Sequence, residues 1–270
     1  MSHDDPAAEA DYLLGHDARE WSRLREQHAL WRSSLLDPLA RSGALADARI
    51  LEVGCGGGDL LCDLLEASGA GGRVSGLERD PRAVERARGR CPRARVFEGD
   101  LMTTELGGPY DLVVARWVFS FLPDVAGALA RLRATLAPGG LLAIQDYDHD
   151  AVRLEPACRH FDGLIEAFRE AYRRGGGDLW VALRLPALMR AAGLEIELVD
   201  PRLMAGGPDS EVFHWVERFL HEHLETVIEA GLIGASGAAA FRAAFQAARA
   251  QPETLLVSPI QMLVLGRAPL

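Results

Sequence analysis

Lysine and asparagine are both missing from the 270 residues, so all 29 fixed cations are arginine and every neutral side-chain amide is glutamine. Without lysine there is no Walker-type phosphate loop and no pyridoxal-phosphate Schiff base. A GC-rich genome is the simplest cause, so the absence is not itself functional. Positive charge is also short: the formal net charge of −10 disfavours a nucleic-acid partner, which draws on a basic surface. Only four cysteines occur, Cys55, Cys62, Cys91 and Cys158, with no CxxC pair. That spacing argues against a zinc site or a disulfide framework and predicts reduced core residues. No apolar run is long enough to span a bilayer, and the opening MSHDDPAAEADY has neither the basic nor the apolar stretch of a signal peptide. The expectation is a cytoplasmic protein with no membrane partner.

What is present is apolar and periodic. Hydrophobic residues make up 49% of the chain, enough for one large domain or a domain with a cap. Short β-like runs recur at Arg49–Val53, Arg73–Leu77, Ala94–Phe97, Asp111–Ala115, Leu141–Ile144, Leu194–Val199 and Met262–Leu265. Helical patterns of crossover length, such as Asp59–Ala67 and Pro81–Arg88, lie between the early ones. Alternating strands and helices predict an α/β fold with a doubly wound, mostly parallel seven-stranded sheet.

Ahead of the first strand, Asp17 and Glu20 are spaced as a capping box, and Trp21, Leu24, His28, Trp31 and Leu35 share a helical stripe. Residues 1–45 are therefore expected to form a helical cap or lid, 46–150 the core, and 151–270 the last strands with helical insertions after strands five and six. The later helical patterns are Cys158–Arg173, Leu185–Ala192, Ser210–Ala230 and Ala238–Ala248. They should gather near the strand C-termini, where open α/β sheets bind ligands.

The stretch ILEVGCGGGDLL, Ile50 to Leu61, places Gly54, Gly56, Gly57 and Gly58 at the end of the first strand. A dinucleotide fingerprint needs a further glycine where Asp59 stands, which weakens a NAD-type oxidoreductase reading. The run Glu52, Gly54, Gly56, Gly58 instead resembles motif I of the class I S-adenosylmethionine-dependent methyltransferases. The resemblance continues in order through RVSGLERDP, VFEGDL, PYDLVVARWVFSFLPD and LAPGG. It implies a Rossmann-like methyltransferase fold, S-adenosylmethionine as cofactor and S-adenosylhomocysteine as product. By that resemblance the glycines approach the methionine part and Glu52 meets its ammonium. Glu78, with Arg79 beside it, takes the ribose hydroxyls; Asp100 after Gly99 takes the adenine amine, and Leu101 packs on the base. The looser N-terminal YLLGHDAREWSRLREQ resembles a bacterial small-molecule and secondary-metabolite group, in which Tyr12 and Arg23 would touch the cofactor.

Methyl transfer needs alignment first and a base only if the acceptor is protonated. Strand five ends in QDYDHD, where Asp146, Tyr147, Asp148 and His149 are the proton-transfer candidates, with His149 as general base oriented by a neighbouring carboxylate. Arg116 is grouped with the cofactor-binding candidates, and could instead bind an anionic substrate group or pair with one of these acids. Trp117, Tyr147, Trp180 and Phe213 are the candidate substrate contacts. His214 and His221 have the wrong spacing for a helical metal pair, so no metal is expected. The acceptor is expected to be a small, largely apolar or aromatic metabolite methylated on O, N or C, in natural product biosynthesis. A cofactor-binding partner subunit without activity is the remaining alternative, and a homodimer is left open.

Overall fold

The structure, a computed structural model, describes residues 18–69 and 73–270. The seven apolar runs become β1 (Ile50–Val53), β2 (Val74–Glu78), β3 (Arg95–Glu98), β4 (Tyr110–Arg116), β5 (Leu136–Asp148), β7 (Glu195–Arg202) and β10 (Ile260–Arg267). They pair in the order β3-β2-β1-β4-β5-β10-β7, with β10 antiparallel to both neighbours and the other pairs parallel. Val53 lies opposite Leu77 and Ala115, and Arg116 opposite Gln145. The register therefore brings the C-terminal tips of β1, β2, β4 and β5 to one edge.

Successive strand residues face opposite layers. Leu51, Val53, Val113, Ala115, Leu142 and Ile144 pack on the side of α4 (Val125–Thr135) and α6 (Val181–Ala191). Ile50, Val74, Leu112, Val114, Leu141 and Ala143 pack on the other side, against α1 (Ala18–Arg41), α2 (Asp59–Ser68) and α3 (Pro81–Arg90). A third core joins α5 (Arg159–Arg174), α7 (Glu211–Glu222), α8 (Leu224–Glu229) and α9 (Ala235–Arg249). Phe161, Phe213, Phe241 and Phe245 lie at its centre, each at most 1% exposed. Burying one such side chain contributes about 1.5–3 kcal/mol, so this helical layer is a core in its own right.

Several details differ from the sequence expectations. The pattern at Ser210–Ala230 is two helices, because the chain breaks at His223. A second, three-stranded sheet, β6 (Arg153–Glu155), β9 (Leu255–Val257) and β8 (Ala205–Gly206), was not anticipated, since its strands are too short to show a period. Asp17 of the expected capping box lies outside the described residues, while Glu20 is buried and accepts two hydrogen bonds from Arg23. Cys62 and Cys91 are not reduced but joined in a disulfide. Cys62 sits in α2 and Cys91 caps α3, and the two parallel crossovers bring Cα atoms 29 residues apart to 5.5 Å. That is within the range a disulfide needs. Sequence spacing carried no sign of it.

Candidate active site

A cavity of about 830 Å³ opens over the strand tips, at the upper end of what a single small-molecule site occupies. Its floor is the glycine turn. Gly54 (φ 67°) and Gly56 (φ 50°) take left-handed backbone and reach the cavity. Gly58 (φ 85°) does not. It faces α3, where a Cβ would come within 3.1 Å of Ala87 Cα, so the last glycine of the run serves helix packing, a correction to its expected cofactor role. Glu78 lies at the cavity beside Arg79, its carboxylate accepting from the backbone N–H of Gly56 (2.9 Å), Arg79 (2.8 Å) and Asp80 (3.0 Å). Across from it, Gly99, Asp100 and Leu101 form the next wall. Asp100 accepts from Met102 N at 2.6 Å, and Arg131 Nε fixes the turn by donating to Leu101 O at 2.7 Å.

Beneath the turn, Glu52 (3% exposed) and Arg116 (9% exposed) are both buried at the tips of β1 and β4, near enough to act on each other electrostatically. Burial drives the Glu52 carboxyl well above the usual carboxylate range, against the pull of Arg116. The same burial lowers Arg116 to about 10, against Glu52 and Asp59. Glu52 Oε2 and Arg116 Nη1 have no hydrogen-bond partner. Arg116 Nη2 meets His28 Nδ1 at 2.7 Å. Because a guanidinium only donates, His28 accepts there and its hydrogen sits on Nε2, 3.0 Å from Asp63 Oδ2. Burial opposes the Asp63 charge, but His28 and Arg32 hold its carboxyl below the usual range. Helix α1 is thereby bolted to α2 across the cofactor turn.

Farther along, Trp117, Tyr147 and His149 line the cavity, joined by Val152, Ile165, Phe168 and Leu179 from the insertion after β5. Trp215, Val216, Phe219 and Leu220 of α7 close it. Arg23 lines the cavity too, its guanidinium held by Glu20 and lying 5.5 Å over the Phe219 ring.

Other expected site residues lie elsewhere. Asp146 is fully buried and accepts from the backbone N–H of Phe119, Ser120 and Tyr147, so it pins the turn after β4 and is not placed to meet a substrate. Burial raises its carboxyl to about 6 against those three hydrogen bonds. Asp148 caps the short 3-10 turn that follows, accepting from Asp150 N. His149 thus has no carboxylate orienting it: its Nδ1 is buried without a partner, and burial, with Arg169 adding, pulls the ring down to about 3. Trp180 stands outside the cavity wall, donating to Asp150 and covered by Arg169. Phe213 belongs to the helical core among Phe241 and Phe245, away from the cavity. Tyr12 lies outside the described residues. Sequence reasoning missed Gln27, Phe168 and Tyr172 as lining residues. The strongly amphipathic α5 was the available signal for the last two.

Among the described residues one trio brings three metal-ligating types together, Glu20, Glu222 and His223. Arg23, bidentate on Glu20 and 3.8 Å from Glu222, already supplies the positive charge there.

Residues 18–199 match the family described as a methyltransferase domain. The chain belongs to that family, the class I S-adenosylmethionine-dependent methyltransferases. Curated relatives include trans-aconitate 2-methyltransferases from Rhizobium leguminosarum bv. trifolii, 41% identical over 101 residues (37% of this chain, 39% of the relative), and Methylobacterium nodulans, 34% identical over 151 residues (56% and 53%). The matched stretch thus spans about half or less of those relatives' length. A putative methyltransferase from Bacillus halodurans shares the fold with a TM-score of 0.59 at 15% identity, covering 88% of this chain and 100% of that one.

S-adenosylmethionine is the cofactor of this methyltransferase domain, and S-adenosylhomocysteine its product. The residues present fit it. The orphaned carboxylate oxygen of Glu52 and the orphaned Nη1 of Arg116 suit an ammonium and a carboxylate, the two charges of the methionine part. Glu78 and Asp100, the acids that the resemblance assigns to ribose and adenine, line the same cavity as the bare turn at Gly54 and Gly56.

Proposed function

We propose that this protein transfers the methyl group of S-adenosylmethionine to an O, N or C atom of a small, neutral, largely apolar or aromatic metabolite, as natural product pathways require. The carrying observation is the cavity's second half. Beyond the cofactor cradle it continues between Val152, Ile165, Phe168, Leu179, Val216 and Leu220, side chains that offer only apolar contact. When bound, the cofactor supplies an electrophilic methyl on sulfonium. The chain's own residues hold the acceptor in line and exclude water. His149, at this end and biased to the neutral imidazole, accepts a hydrogen bond from an acceptor that carries a proton.

Trans-aconitate, the acceptor in the curated relatives' names, carries three carboxylates and would want free cations at this end. Of the four arginines that line the cavity, Arg79 and Arg82 lie beside Glu78 and Asp80, Arg116, over the Trp117 ring, is given above to the cofactor's carboxylate, and Arg23 is committed to Glu20. That favours a neutral acceptor.

The test is thermal-shift binding of S-adenosylhomocysteine, followed by mass spectrometry for methylated products across neutral aromatic, aliphatic and polycarboxylate acceptors. Preferential turnover of trans-aconitate would overturn the acceptor class. Cofactor binding without turnover of any acceptor would favour a silent partner subunit.

A further inference from the structure

Gln27 is 3% exposed on α1 and reaches the cavity beside Tyr147. Its amide orientation follows from chemistry. The carbonyl oxygen accepts from Arg23 Nη1 at 2.7 Å and from Trp215 Nε1 at 3.2 Å, and both of those groups can only donate. The amide nitrogen must therefore point the other way, where it donates to Tyr147 Oη at 2.8 Å. One side chain thus joins the cap helix α1, the insertion helix α7 and the tip of β5.

What it holds is flat. The Tyr147 ring lies nearly parallel to the Trp117 indole, with centroids 6.2 Å apart and an interplanar angle of 11°, and His149 meets Tyr147 edge-on at 5.5 Å. All three rings line the cavity. The far side of the stack is fixed as well: Trp117 Nε1 donates to the fully buried Gln261 Oε1 at 2.6 Å. Trp117 also takes φ 57°, a left-handed backbone that a bulky residue keeps only where its surroundings enforce it. Two glutamines, one on each side, therefore clamp an aromatic wall at the tips of β4 and β5.

We propose that Gln27 is a specificity-determining positioning residue, holding Tyr147 against Trp117 so that a planar acceptor is stacked in a fixed orientation toward the cofactor. The proposal rests on the neutral, aromatic acceptor class argued above. Because the same amide is tied to α1 and α7, the acceptor wall is complete only when the cap is seated. A merely structural Gln27 would hold the cap on and affect both ligands alike.

The test uses the whole protein and two probes, S-adenosylhomocysteine for the cofactor half and 2-naphthol as a planar neutral probe for the acceptor half. Calorimetry compares wild type, Gln27→Met, Tyr147→Phe and the double variant, with 2-naphthol titrated into protein saturated with S-adenosylhomocysteine. Each single variant is expected to bind 2-naphthol at least about five-fold more weakly, and the double variant no worse than the weaker single, since both remove the same hydrogen bond. Cofactor-product affinity should change by less than about two-fold in Tyr147→Phe, which removes only the Gln27–Tyr147 bond, and should fall clearly less than 2-naphthol affinity in Gln27→Met, which also releases Arg23 Nη1. Unchanged 2-naphthol affinity in Gln27→Met, additive losses, or an equal loss of S-adenosylhomocysteine binding would overturn the proposal. Wild type that binds S-adenosylhomocysteine but not 2-naphthol would overturn it together with the aromatic acceptor class, leaving the methyltransferase assignment standing. Wild type that binds neither would sink that assignment as well.

Discussion

A methyl group on Gly54 would land 2.5 Å from Val118 Cγ2, closer than any real Cβ contact. Gly54 also holds φ 67° at the end of β1. Gly54→Ala therefore incurs both a clash and left-handed strain, in the turn that forms the cavity floor and is proposed to meet the cofactor. The expected result is a folded protein that binds S-adenosylhomocysteine at least about ten-fold more weakly, corresponding to a cost of about 1–3 kcal/mol. Adding Val118→Ala removes the clash but not the strain, so calorimetry on the pair should show partial recovery.

Glu78 gathers three backbone N–H groups and still faces the cavity, while Asp100 is tied to its own turn through Met102 N. With the cofactor seated as proposed, Glu78→Ala would strip the partner from the Gly56 turn as well as from the ribose, and Asp100→Ala would remove the adenine contact and its own turn's bond to Met102 N. Each should weaken S-adenosylhomocysteine binding by about 1–3 kcal/mol, with Glu78→Ala the larger loss. Equal, unchanged affinity in both variants would show the two acids misassigned.

The sheet was legible because most strands are short apolar runs between breakers: Ile50–Val53 differs from expectation by one residue at its start, and Tyr110–Arg116 by one at each end. That Glu52, Gly54, Glu78 and Asp100 share one cavity was legible for a related reason: they sit at strand ends whose positions the periodicity already marks. Past β5 the signal fades. Phe213 and Trp215 are two residues apart in one helix, yet one is core and the other cavity wall, a difference set by which neighbours α7 meets and not by local pattern. Asp146 and His149 look alike in QDYDHD as polar groups at a strand tip. Only the fold shows the first bound by three backbone donors and the second with a buried, unpartnered nitrogen. Gln27 carried no motif at all, because its role depends on α7, which lies far away in sequence.

Asp146 and His149 bend the pH profile of stability in opposite directions. The native Asp146 carboxyl, raised to about 6, binds its proton more tightly than an unfolded Asp near ~3.9. Its contribution is therefore full below ~4 and lost as pH rises through about 6. The native His149 ring, lowered to about 3, resists a proton that the unfolded chain takes near ~6.5. Its contribution is present above ~6.5 and lost as pH falls toward 3. Urea unfolding between about pH 4 and 7 should thus show the gap between wild type and Asp146→Asn widening as pH falls. The gap between wild type and His149→Gln should move the other way. Asp146→Asn should also cost about 1–3 kcal/mol throughout, because an amide turns a donor toward backbone N–H groups.

The Cys62–Cys91 disulfide joins residues 29 apart and closes a loop that contains most of α2, β2 and all of α3, so it ties the two helices together beside the glycine turn. Cys91 Sγ also lies 3.3 Å from Gly58 O, and Gly58 has α3 packed directly behind it. Removing the bond releases chain entropy in the unfolded state, which for a loop of this length is about 3–4 kcal/mol. Cys62→Ser with Cys91→Ser, or reduction of the wild type, should therefore lower the melting temperature by about 5–10 °C. Thiol alkylation of the native protein checks the premise: label should reach Cys158, the half-buried free cysteine, and reach Cys62 and Cys91 only after reduction. Labelling of Cys62 without reductant would show the pair open, and the expected drop in melting temperature would then vanish with it.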